Sequence, residues 1–292
     1  GHGRSCTMPG GAACKRRRIR AARIAAARDA PKAPPSRMSE PLPLSLIVIT
    51  RDAAHELAEC LASAPFAAEA VVVDSGSRDD TVALAGSLGA RVVVQSFLGY
   101  GPQKNFAVAQ AAHDWVLCID ADERVSPALA AAIAAAFANG VPTASAYTIA
   151  RRNRFLGRWL AHGEGYPDWN VRLFDRRHAR WTDDPVHETV VAQGRVERLA
   201  GDLLHASAES IDAYLAKQNR YTTVQAEAMH ARGERAGAVR IAFSPLARFL
   251  RFYVLKLGFL DGVAGFAHIA IGAFASFLKY VKLRALSQGP RR

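Results

Sequence analysis

Apolar and polar positions alternate along the first half of the chain in blocks that predict strands separated by helices. Short runs rich in valine, isoleucine and leucine are typical of buried strands, whereas the longer blocks between them have helical spacing. The predicted strands are 44–50, 70–74, 91–94 and 115–119, and the predicted helices are 51–61, 79–88 and 103–111. Because helical crossovers join parallel neighbouring strands, this order predicts an α/β fold with a mostly parallel central sheet.

The pattern continues beyond residue 125 and then changes. Ser126-Pro127 has the composition of a helix cap and first turn, so a helix is predicted over 126–138. Strands are predicted over 146–150 and 170–175, and from residue 210 the spacing is helical. We therefore expect a sheet-forming region followed by a helical C-terminal region.

Two carboxylates, Asp120 and Asp122, directly follow the predicted strand that ends at residue 119. In an open α/β sheet, ligands bind at the carboxyl ends of the strands. Paired hard oxygen ligands at that edge suit Mg²⁺ or Mn²⁺ carrying a phosphorylated substrate. Asp-x-Asp is also common in turns and helix caps, so the metal site needs support from the neighbouring loops.

Other loops at the same edge have suitable chemistry. Asp74 ends the second strand, where its carboxylate could accept a hydrogen bond from a nucleobase imide or a ribose hydroxyl. Lys104 lies in the first turn of a predicted helix, where a cation opposes the helix dipole. It therefore needs solvation or an anionic partner, which a nucleoside diphosphate would supply. Asp79, Asp80 and Thr81 are expected to cap the start of a helix.

The loop after the first strand weighs against two classes of nucleotide-binding enzyme. Thr50 ends that strand and Arg51 follows it, and residues 50–54 contain no glycine. Dinucleotide-binding and P-loop fingerprints both require glycines at this point. The sequence therefore disfavours a dehydrogenase and a P-loop kinase.

Four motifs follow one another between residues 42 and 205: Leu46-Ile47-Val48-Ile49-Thr50, Val72-Val73-Asp74-Ser75-Gly76-Ser77 with Asp79 and Thr81, Gln103-Lys104-Asn105, and Asp120-Ala121-Asp122. Their order and spacing resemble the family-2 inverting glycosyltransferases, which have the GT-A fold. Four further segments resemble the bacterial lipopolysaccharide inner-core transferases that add glucose. These segments are Leu156-Gly157-Arg158, Arg172-Leu173-Phe174, Pro185-Val186-His187-Glu188 and Gly258-Phe259-Leu260-Asp261-Gly262.

The resemblance implies a UDP-sugar donor, Mg²⁺ or Mn²⁺, and roles for individual residues. Lys104 stands where this family often has arginine before asparagine, near the nucleotide. Asp74 would contact the base or ribose, and Thr50 and Arg51 would form part of the wall around the nucleotide. Asp120 and Asp122 would contact the metal, and Asp120 would also lie beside the nucleotide.

An inverting transfer needs one carboxylate to deprotonate the acceptor hydroxyl. Glu188 is the first choice, because similar enzymes place the acidic residue of the acceptor site in this segment, and Asp184 is the second. Asp168 and Asp183 are the other candidates. His205 is either a third contact to the metal or diphosphate, or a buried structural histidine.

The C-terminal helices have a marked apolar stripe. Residues 258–278 are long enough to span a bilayer and contain one formal charge, Asp261. Glycines at 258, 262, 265 and 272, and the cost of placing Asp261 in lipid, favour a helical hairpin at the membrane interface. A stripe at helical spacing fits a membrane face or a packing face equally. It consists of Leu246, Phe249, Leu250, Tyr253, Val254 and Leu257.

Charge is concentrated at the two ends of the chain, whose net charge is +12. Residues 1–40 hold ten Lys/Arg against two acids, and 240–292 hold nine against one, whereas 41–239 is acidic. No zinc-finger, helix-turn-helix or aromatic RNA-binding pattern occurs, so an anionic membrane surface explains the basic ends better than nucleic acid. Four cysteines without paired spacing indicate reduced thiols in a cytosolic compartment.

We therefore expect three regions. A basic extension, disordered or upstream of a natural start at Met38, covers 1–40; a catalytic domain covers 41–208, with a nucleotide half (41–123) and an acceptor half (124–208). A helical region, 209–292, would attach the enzyme peripherally or monotopically to the cytoplasmic side of the inner membrane. The expected reaction transfers glucose from UDP-glucose to a lipopolysaccharide core acceptor. The alternatives are a same-fold transferase acting on polyprenyl phosphate or another glycolipid, and a non-catalytic membrane- or nucleic-acid-binding protein.

Overall fold

The computed structural model describes residues 40–184, 188–206 and 210–288. Residues 1–39 of the predicted extension, with Cys6 and Cys14, and also His187, lie outside these ranges. The described strands are β1 Leu42–Thr50, β2 Ala67–Asp74, β3 Arg91–Val94, β4 Trp115–Asp120, β5 Glu123–Val125, β6 Ala146–Phe155, β7 Arg158–Trp159, β8 Asp168–Asp175, β9 Ala179–Trp181, β10 Val190–Ala192 and β11 Val196–His205. The described helices are α1 Ala54–Ala62, α2 Thr81–Ser87, α3 Tyr100–Ala109, α4 Pro127–Phe137, α5 Ile211–Ala231, α6 Ala238–Leu250 and α7 Gly262–Gln288.

Most of these strands form one sheet in the order β3-β2-β1-β4-β8-β6-β11-β5, with β7 paired to β6. Strands β1, β2, β3 and β4 are parallel to one another, and β6 is parallel to β11. Strand β8 is antiparallel to both β4 and β6 and so joins the two parallel groups. The mostly parallel sheet is the one predicted from the order of the elements.

Helices cover both faces of this sheet. Leu46 and Val48 of β1 lie in one buried cluster with Leu57 of α1 and Leu129 of α4. Ile47, which points to the opposite face, lies in a second cluster with residues of α3 and β8. Because both faces are buried, the strand is apolar throughout rather than alternating. Cys60 and Cys118 are buried free thiols in α1 and β4, as predicted.

Two helices begin at positions other than those predicted. Asp52 has a φ of 51°, which no α-helix accommodates, so α1 begins at Ala54 rather than at residue 51. Helix α3 begins earlier than expected, at Tyr100, because Gly99 turns the chain with a φ of 102°. Pro102 is tolerated there because the first turn of a helix has no partner for its missing N–H.

The predicted hairpin within residues 258–278 is wrong. A 3₁₀ turn, Gly258–Asp261, leads into α7, which continues unbroken to Gln288. Gly272 does not break the helix; a Cβ there would lie 2.6 Å from Glu164 Oε2, so the glycine permits close packing. The hairpin is instead formed by α6, extended by the π-helical turn Arg251–Leu255, and α7.

Asp261 connects this hairpin to the sheet region. Its side chain is buried, and Oδ2 accepts hydrogen bonds from the N–H groups of Ala161 and His162 at 2.9 and 2.8 Å. The N–H of Gly163 donates to the carbonyl of Lys256 at 2.9 Å. The loop that follows β7 is therefore fixed to the C-terminal helices.

Candidate active site

An open cleft of about 400 Å³ lies at the carboxyl ends of β1 and β4, beside the turn that follows β2. This is the edge at which ligands bind in open α/β sheets. The cleft is lined by Ile49, Thr50, Arg51, Asp52, Ala53, Glu56, Ser75, Phe97, Tyr100, Asp120, Ala121 and Asp122. Several residues predicted to contact the nucleotide or metal are thus brought together.

Asp74 shapes the turn beside this cleft. Its carboxylate is buried, and Oδ2 accepts hydrogen bonds from the N–H groups of Gly76 and Ser77 at 2.8 and 2.9 Å. Gly76 has a φ of 87°, which favours glycine at this position. A contact between Asp74 and a base or ribose stays a prediction.

Thr50 and Arg51 differ in what they offer a ligand. Thr50 is paired in register with Asp74, and its buried Oγ1 has no hydrogen-bond partner in the described part of the chain. Arg51 is exposed, with Nε 3.7 Å from an Asp52 carboxylate oxygen. A buried hydroxyl without a partner in a cleft wall can bind a ligand polar group without losing an existing contact.

The helix-capping prediction is confirmed for Asp79 and wrong for Asp80, whose side chain makes no cap hydrogen bond. Its Oδ1 accepts from the N–H of Thr81 at 3.1 Å, and Oδ2 accepts from the N–H of Ala54 at 3.1 Å. The pKa of the exposed Asp79 carboxyl is lowered, chiefly because the Thr81 hydroxyl also donates to it. Asp79 thereby caps α1 as well as α2 and fixes the loop that carries Arg51.

The Gln103-Lys104-Asn105 motif in α3 fixes three parts of the site. Gln103 Nε2 donates to Ser75 Oγ at 3.2 Å, which ties α3 to the turn after Asp74. Asn105 bonds both backbone polar groups of Trp181, with Nδ2 to O at 2.9 Å and Trp181 N–H to Oδ1 at 3.0 Å. The amide residues therefore place Lys104 between the turn after Asp74 and β9.

Lys104 is buried and has protein carboxylates as its partners. Its Nζ lies 3.0 Å from Glu188 Oε1 and 3.3 Å from Asp120 Oδ1, and 4.4 Å from the centre of the Trp181 ring. Lys104 needs an anionic partner at the start of the helix, and Glu188 and Asp120 provide it within the protein. Glu188, the first-choice base, is thus joined through the Lys104 ammonium to Asp120, which lines the cleft.

Arg172 binds the other side of Asp120. From β8, its Nη2 lies 3.1 Å from Asp120 Oδ2 and 2.9 Å from Glu123 Oε1. Burial acts to raise the pKa of the Asp120 carboxyl, but the charges of Arg172 and Lys104 outweigh it and hold that pKa well below its usual range. Asp120 is therefore an ionised carboxylate held between two cations.

Asp122 has a different environment. Its Oδ2 lies 3.0 Å from His205 Nε2, and His205 Nδ1 lies 2.8 Å from Asn153 Oδ1. Burial acts to raise the pKa of the Asp122 carboxyl, but the hydrogen bond and charge of His205 lower it below its ordinary value.

The amide of Asn153 fixes which His205 nitrogen carries a proton. Asn153 Nδ2 donates to the carbonyl of Gly165 at 3.1 Å, so Oδ1 is the atom that faces the histidine and accepts from Nδ1–H. In the neutral ring, the Nε2 lone pair then points at the Asp122 carboxylate. Two such electron-rich atoms face each other only when a second proton or a cation lies between them.

The remaining candidate bases lie in several environments. Asp168 pairs with Arg151, whose Nη2 lies 2.8 Å from Oδ2. Asp183 and Asp184 are both exposed. Their roles, like that of Glu188, stay predictions.

Sequence reasoning missed part of the floor of the site. The sequence indicates Arg172 only as part of a family motif, and it assigns no site role to Glu123 or Trp181. Glu123 adjoins the Asp-x-Asp motif, and its full burial as a charged residue is visible only in the fold. The signal that could have indicated Arg172 is a cation within an otherwise apolar strand.

Comparisons with known proteins identify the family of this chain. The model described as Glycosyl transferase family 2 matches residues 45–194. An uncharacterized glycosyltransferase of Rickettsia typhi is 32% identical over 255 residues, covering 84% of this chain and 87% of that protein. The chain belongs to glycosyltransferase family 2. The predicted family and GT-A fold class are confirmed.

Another relative in this family has a more specific description. The lipopolysaccharide core biosynthesis glycosyltransferase LpsC of Rhizobium meliloti is 32% identical over 249 residues, covering 83% of this chain and 92% of LpsC. Among solved structures, S. aureus TarS residues 1–349 with UDP-GlcNAc is 14% identical over 84% of this chain and 91% of that chain, with a TM-score of 0.43. The family assignment rests on the sequence comparisons.

Proposed function

We propose that this family-2 glycosyltransferase moves a sugar, with glucose as the first expectation, from a UDP-sugar to a lipopolysaccharide core acceptor with inversion at the anomeric carbon. The observation that carries the proposal is the Asp122–His205 pair, whose aspartate lines the cleft. The acceptor class is suggested by the relative LpsC, whose description names lipopolysaccharide core biosynthesis.

A divalent cation fits the donor atoms of this pair. A carboxylate oxygen and an imidazole lone pair converge, and Asn153 holds the other ring nitrogen as metal-binding histidines require. In the described residues, no group of three His, Cys, Asp or Glu side chains is suited to hold a metal. Asp122 and His205 would therefore hold Mg²⁺ or Mn²⁺ together with diphosphate oxygens, and the cation would neutralise the leaving group.

Asp120 was also predicted as a metal ligand, but we assign it another role. Both of its oxygens are paired, one with Lys104 and one with Arg172. Direct coordination would require an oxygen that already accepts from a cation to face a second positive charge. We therefore propose that Asp120 orients Lys104 beside the diphosphate and that Asp122 makes the protein carboxylate contact to the metal.

The walls of the cleft suit a nucleotide. Thr50 offers its unpartnered hydroxyl, Arg51 an exposed guanidinium, and the turn after Asp74 a set of short polar side chains. Tyr100 and Phe97 form an exposed edge-to-face pair with ring centres 5.1 Å apart at the rim. An aromatic surface of this kind can stack against a base or a sugar ring.

Glu188 is the proposed general base. The acceptor hydroxyl oxygen would attack the anomeric carbon, its proton would pass to the Glu188 carboxylate, and the bond to the diphosphate oxygen would break with its electron pair leaving on that oxygen. Lys104, at 3.0 Å, holds the carboxylate in place. Asp184 is the second candidate, and comparison of Glu188→Gln with Asp184→Asn decides between them.

The test is a donor screen with UDP- and ADP-sugars in the presence of Mn²⁺ or Mg²⁺. Asp122→Asn should lower transfer at least about 100-fold, equivalent to about 2.7 kcal/mol of transition-state stabilisation. Asp80→Asn is the matched control, because Asp80 makes no side-chain helix-cap hydrogen bond. Unchanged transfer in Asp122→Asn would refute the metal assignment and favour a non-catalytic role for the pair.

Labelled donor offered with either lipopolysaccharide core lipid or polyprenyl phosphate tests the acceptor. Label in the core lipid supports the proposal, whereas label only in the polyprenyl product refutes the core acceptor and leaves the transferase activity standing. We also propose that the enzyme works peripherally at an anionic cytoplasmic membrane surface, because its acceptor is a lipid and residues 240–292 are basic and partly apolar.

A further inference from the structure

Two chain turns lie side by side at one end of the described structure. The first joins β6 to β7 through Leu156 and Gly157, and the second joins α6 to α7 through residues 255–263. Arg158 Nη2 donates to the carbonyl of Leu260 at 3.1 Å, which joins the two turns directly. We call residues 154–158 and 255–263 the paired turns.

The paired turns expose large apolar side chains. Val263 is 79% exposed, Leu255 is 77% exposed and Leu156 is 53% exposed. Leu257, Phe259 and Leu260 are also exposed. Single exposed apolar side chains are ordinary, but six on two adjoining turns form a patch that calls for a partner.

Leucine occupies an unfavourable backbone conformation in both turns. Leu156 has a φ of 47° and Leu257 a φ of 56°, and the only other non-glycine residue with positive φ in the described chain is Asp52. Asparagine or glycine is favoured in this conformation, because a leucine side chain crowds the backbone there. Leucine is therefore present at a conformational cost, although 53% of Leu156 and 46% of Leu257 stay exposed.

Exposed cations surround the apolar side chains. Arg154, Arg158 and Lys256 are exposed on the paired turns. The acid of these turns, Asp261, is buried; its Oδ2 faces the backbone of residues 161 and 162, and its Oδ1 lies 4.0 Å from Arg158 Nε. The surface therefore combines leucine, valine and phenylalanine with positive charge.

We propose that the paired turns are a docking surface for an anionic lipid bilayer, with the apolar side chains entering the headgroup region and the cations contacting lipid phosphates. A second copy of the chain would bring arginine against arginine, and residues 1–40, with ten Lys/Arg against two acids, would also be repelled. Nucleic acid supplies negative charge but leaves the leucine side chains in a polar environment. A bilayer satisfies both features.

This surface extends membrane contact from the C-terminal helices to the catalytic sheet. Strand β6 runs into the first turn and also carries Asn153, whose Oδ1 lies 2.8 Å from His205 Nδ1. Leu156 lies three positions after Asn153 along the chain, a span of about 10 Å at the rise of a strand. Docking at Leu156 would therefore bring the cleft close to a lipid-linked acceptor; this consequence rests on the proposed function, whereas the docking itself does not.

The experiment is flotation of the full chain with vesicles of phosphatidylglycerol and phosphatidylcholine, compared with phosphatidylcholine alone. Leu156→Asn and Leu257→Asn should each lower partitioning about tenfold, because each removes one apolar side chain from the interface. Both should keep or raise the melting temperature, because asparagine tolerates positive φ. A purely structural role for these leucines predicts a lower melting temperature instead.

Two control variants separate apolar from electrostatic contributions. Val141→Asn removes an exposed apolar side chain outside the paired turns and should leave partitioning unchanged. Lys256→Gln should lower partitioning about fivefold on the phosphatidylglycerol vesicles and have no effect on phosphatidylcholine alone.

Three results would overturn the proposal. They are wild-type partitioning in both leucine variants, equal loss in Val141→Asn, and a dimer in solution that the leucine variants abolish. Sugar transfer to a water-soluble acceptor fragment is measured separately. Its absence would contradict the proposed function and leave the docking result intact.

Discussion

Arg172 compensates two carboxylates in the floor of the cleft. Its Nη2 bonds both Asp120 and Glu123, while Glu123 is fully buried. Arg172→Met would leave both carboxylates without this cation, which should lower the free energy of unfolding by about 3–5 kcal/mol near pH 7. Chemical denaturation measures this loss, and Arg172→Lys, which keeps a cation, should recover part of it.

The loss in the free energy of unfolding caused by Arg172→Met should depend on pH. The native pKa of Asp120 is lowered, so its pairing stabilises the fold above the unfolded value of about 4 and is lost as pH falls through the lower native pKa. Without Arg172, the carboxylates can bind protons at higher pH and so remove their unpaired charge. The difference from wild type should therefore shrink below about pH 5. A difference that stays constant down to about pH 3 would contradict this assignment.

Asp122 and His205 allow a test of metal binding that needs no turnover. A ligand that binds the folded state alone raises its stability, so Mn²⁺ should raise the melting temperature of the wild-type protein. His205→Gln and Asp122→Asn should lose most of this increase. His55→Gln removes an exposed histidine outside the pair and should retain it. Equal increases in all four proteins would place the bound Mn²⁺ elsewhere.

At the scale of elements, α3 is positioned by its contact with the segment after β9. Gly101 lies against this segment, and a Cβ there would collide with the carbonyl oxygen of Thr182. Gly101→Ala should push α3 and Lys104 away from Trp181, with a loss of about 2 kcal/mol or more in the free energy of unfolding. Thermal unfolding measures the loss, and sugar transfer should fall with it.

Gly86 provides the matched control in α2. A Cβ there meets nothing within 4 Å, so Gly86→Ala should be neutral or stabilise the fold by up to about 1 kcal/mol. Equal destabilisation by the two substitutions would show that the contact of Gly101 with Thr182 does not decide the effect, because helix propensity alone favours alanine at both positions. Unchanged transfer in a stable Gly101→Ala protein would contradict the positioning of Lys104 by this contact.

The elements were predictable to the extent that their residues fix them locally. The runs in β1 and β4 are apolar because both faces are buried, so their positions followed from composition alone. The start of α3 could not be predicted from composition, because the φ of Gly99 depends on how the chain enters the helix. The glycines of α7 were interpreted as breaks, whereas the fold uses them for close packing against other segments.

The sequence predicts the site residues that lie at the ends of neighbouring parallel strands. It does not predict the pairs between residues that are distant along the chain. Asp120 and Asp122 follow a strand end, and parallel strands bring such ends to one edge. Arg172 comes from an antiparallel strand 52 residues after Asp120, and no local pattern indicates that the two pair. The sequence leaves two alternative roles for His205. Only the fold shows that Asn153 Oδ1 faces its Nδ1.

At the scale of the whole molecule, there are two alternatives for α7: it crosses a bilayer, or it packs within the protein. The segment Gly258–Gln288 is long and apolar enough to cross a membrane by length and composition, and one third of its most apolar window is buried. Leu283 packs with Ala226 and Met229 of α5. Lys282 Nζ donates to Asn219 Oδ1 at 2.7 Å. Insertion of this end of α7 into lipid would break these contacts.

We therefore expect α7 to remain packed when the enzyme is on a membrane. Alkaline carbonate should release the full chain from membranes, because shallow contacts and charge hold it there, whereas a protein with a transmembrane helix stays in the pellet. High salt alone should release part of it, because the ionic contribution is screened while the apolar one persists. Retention through carbonate would show that α7 leaves its packing site and inserts. In that case Lys282→Met should strengthen retention, since it removes the polar contacts with α5 that oppose insertion.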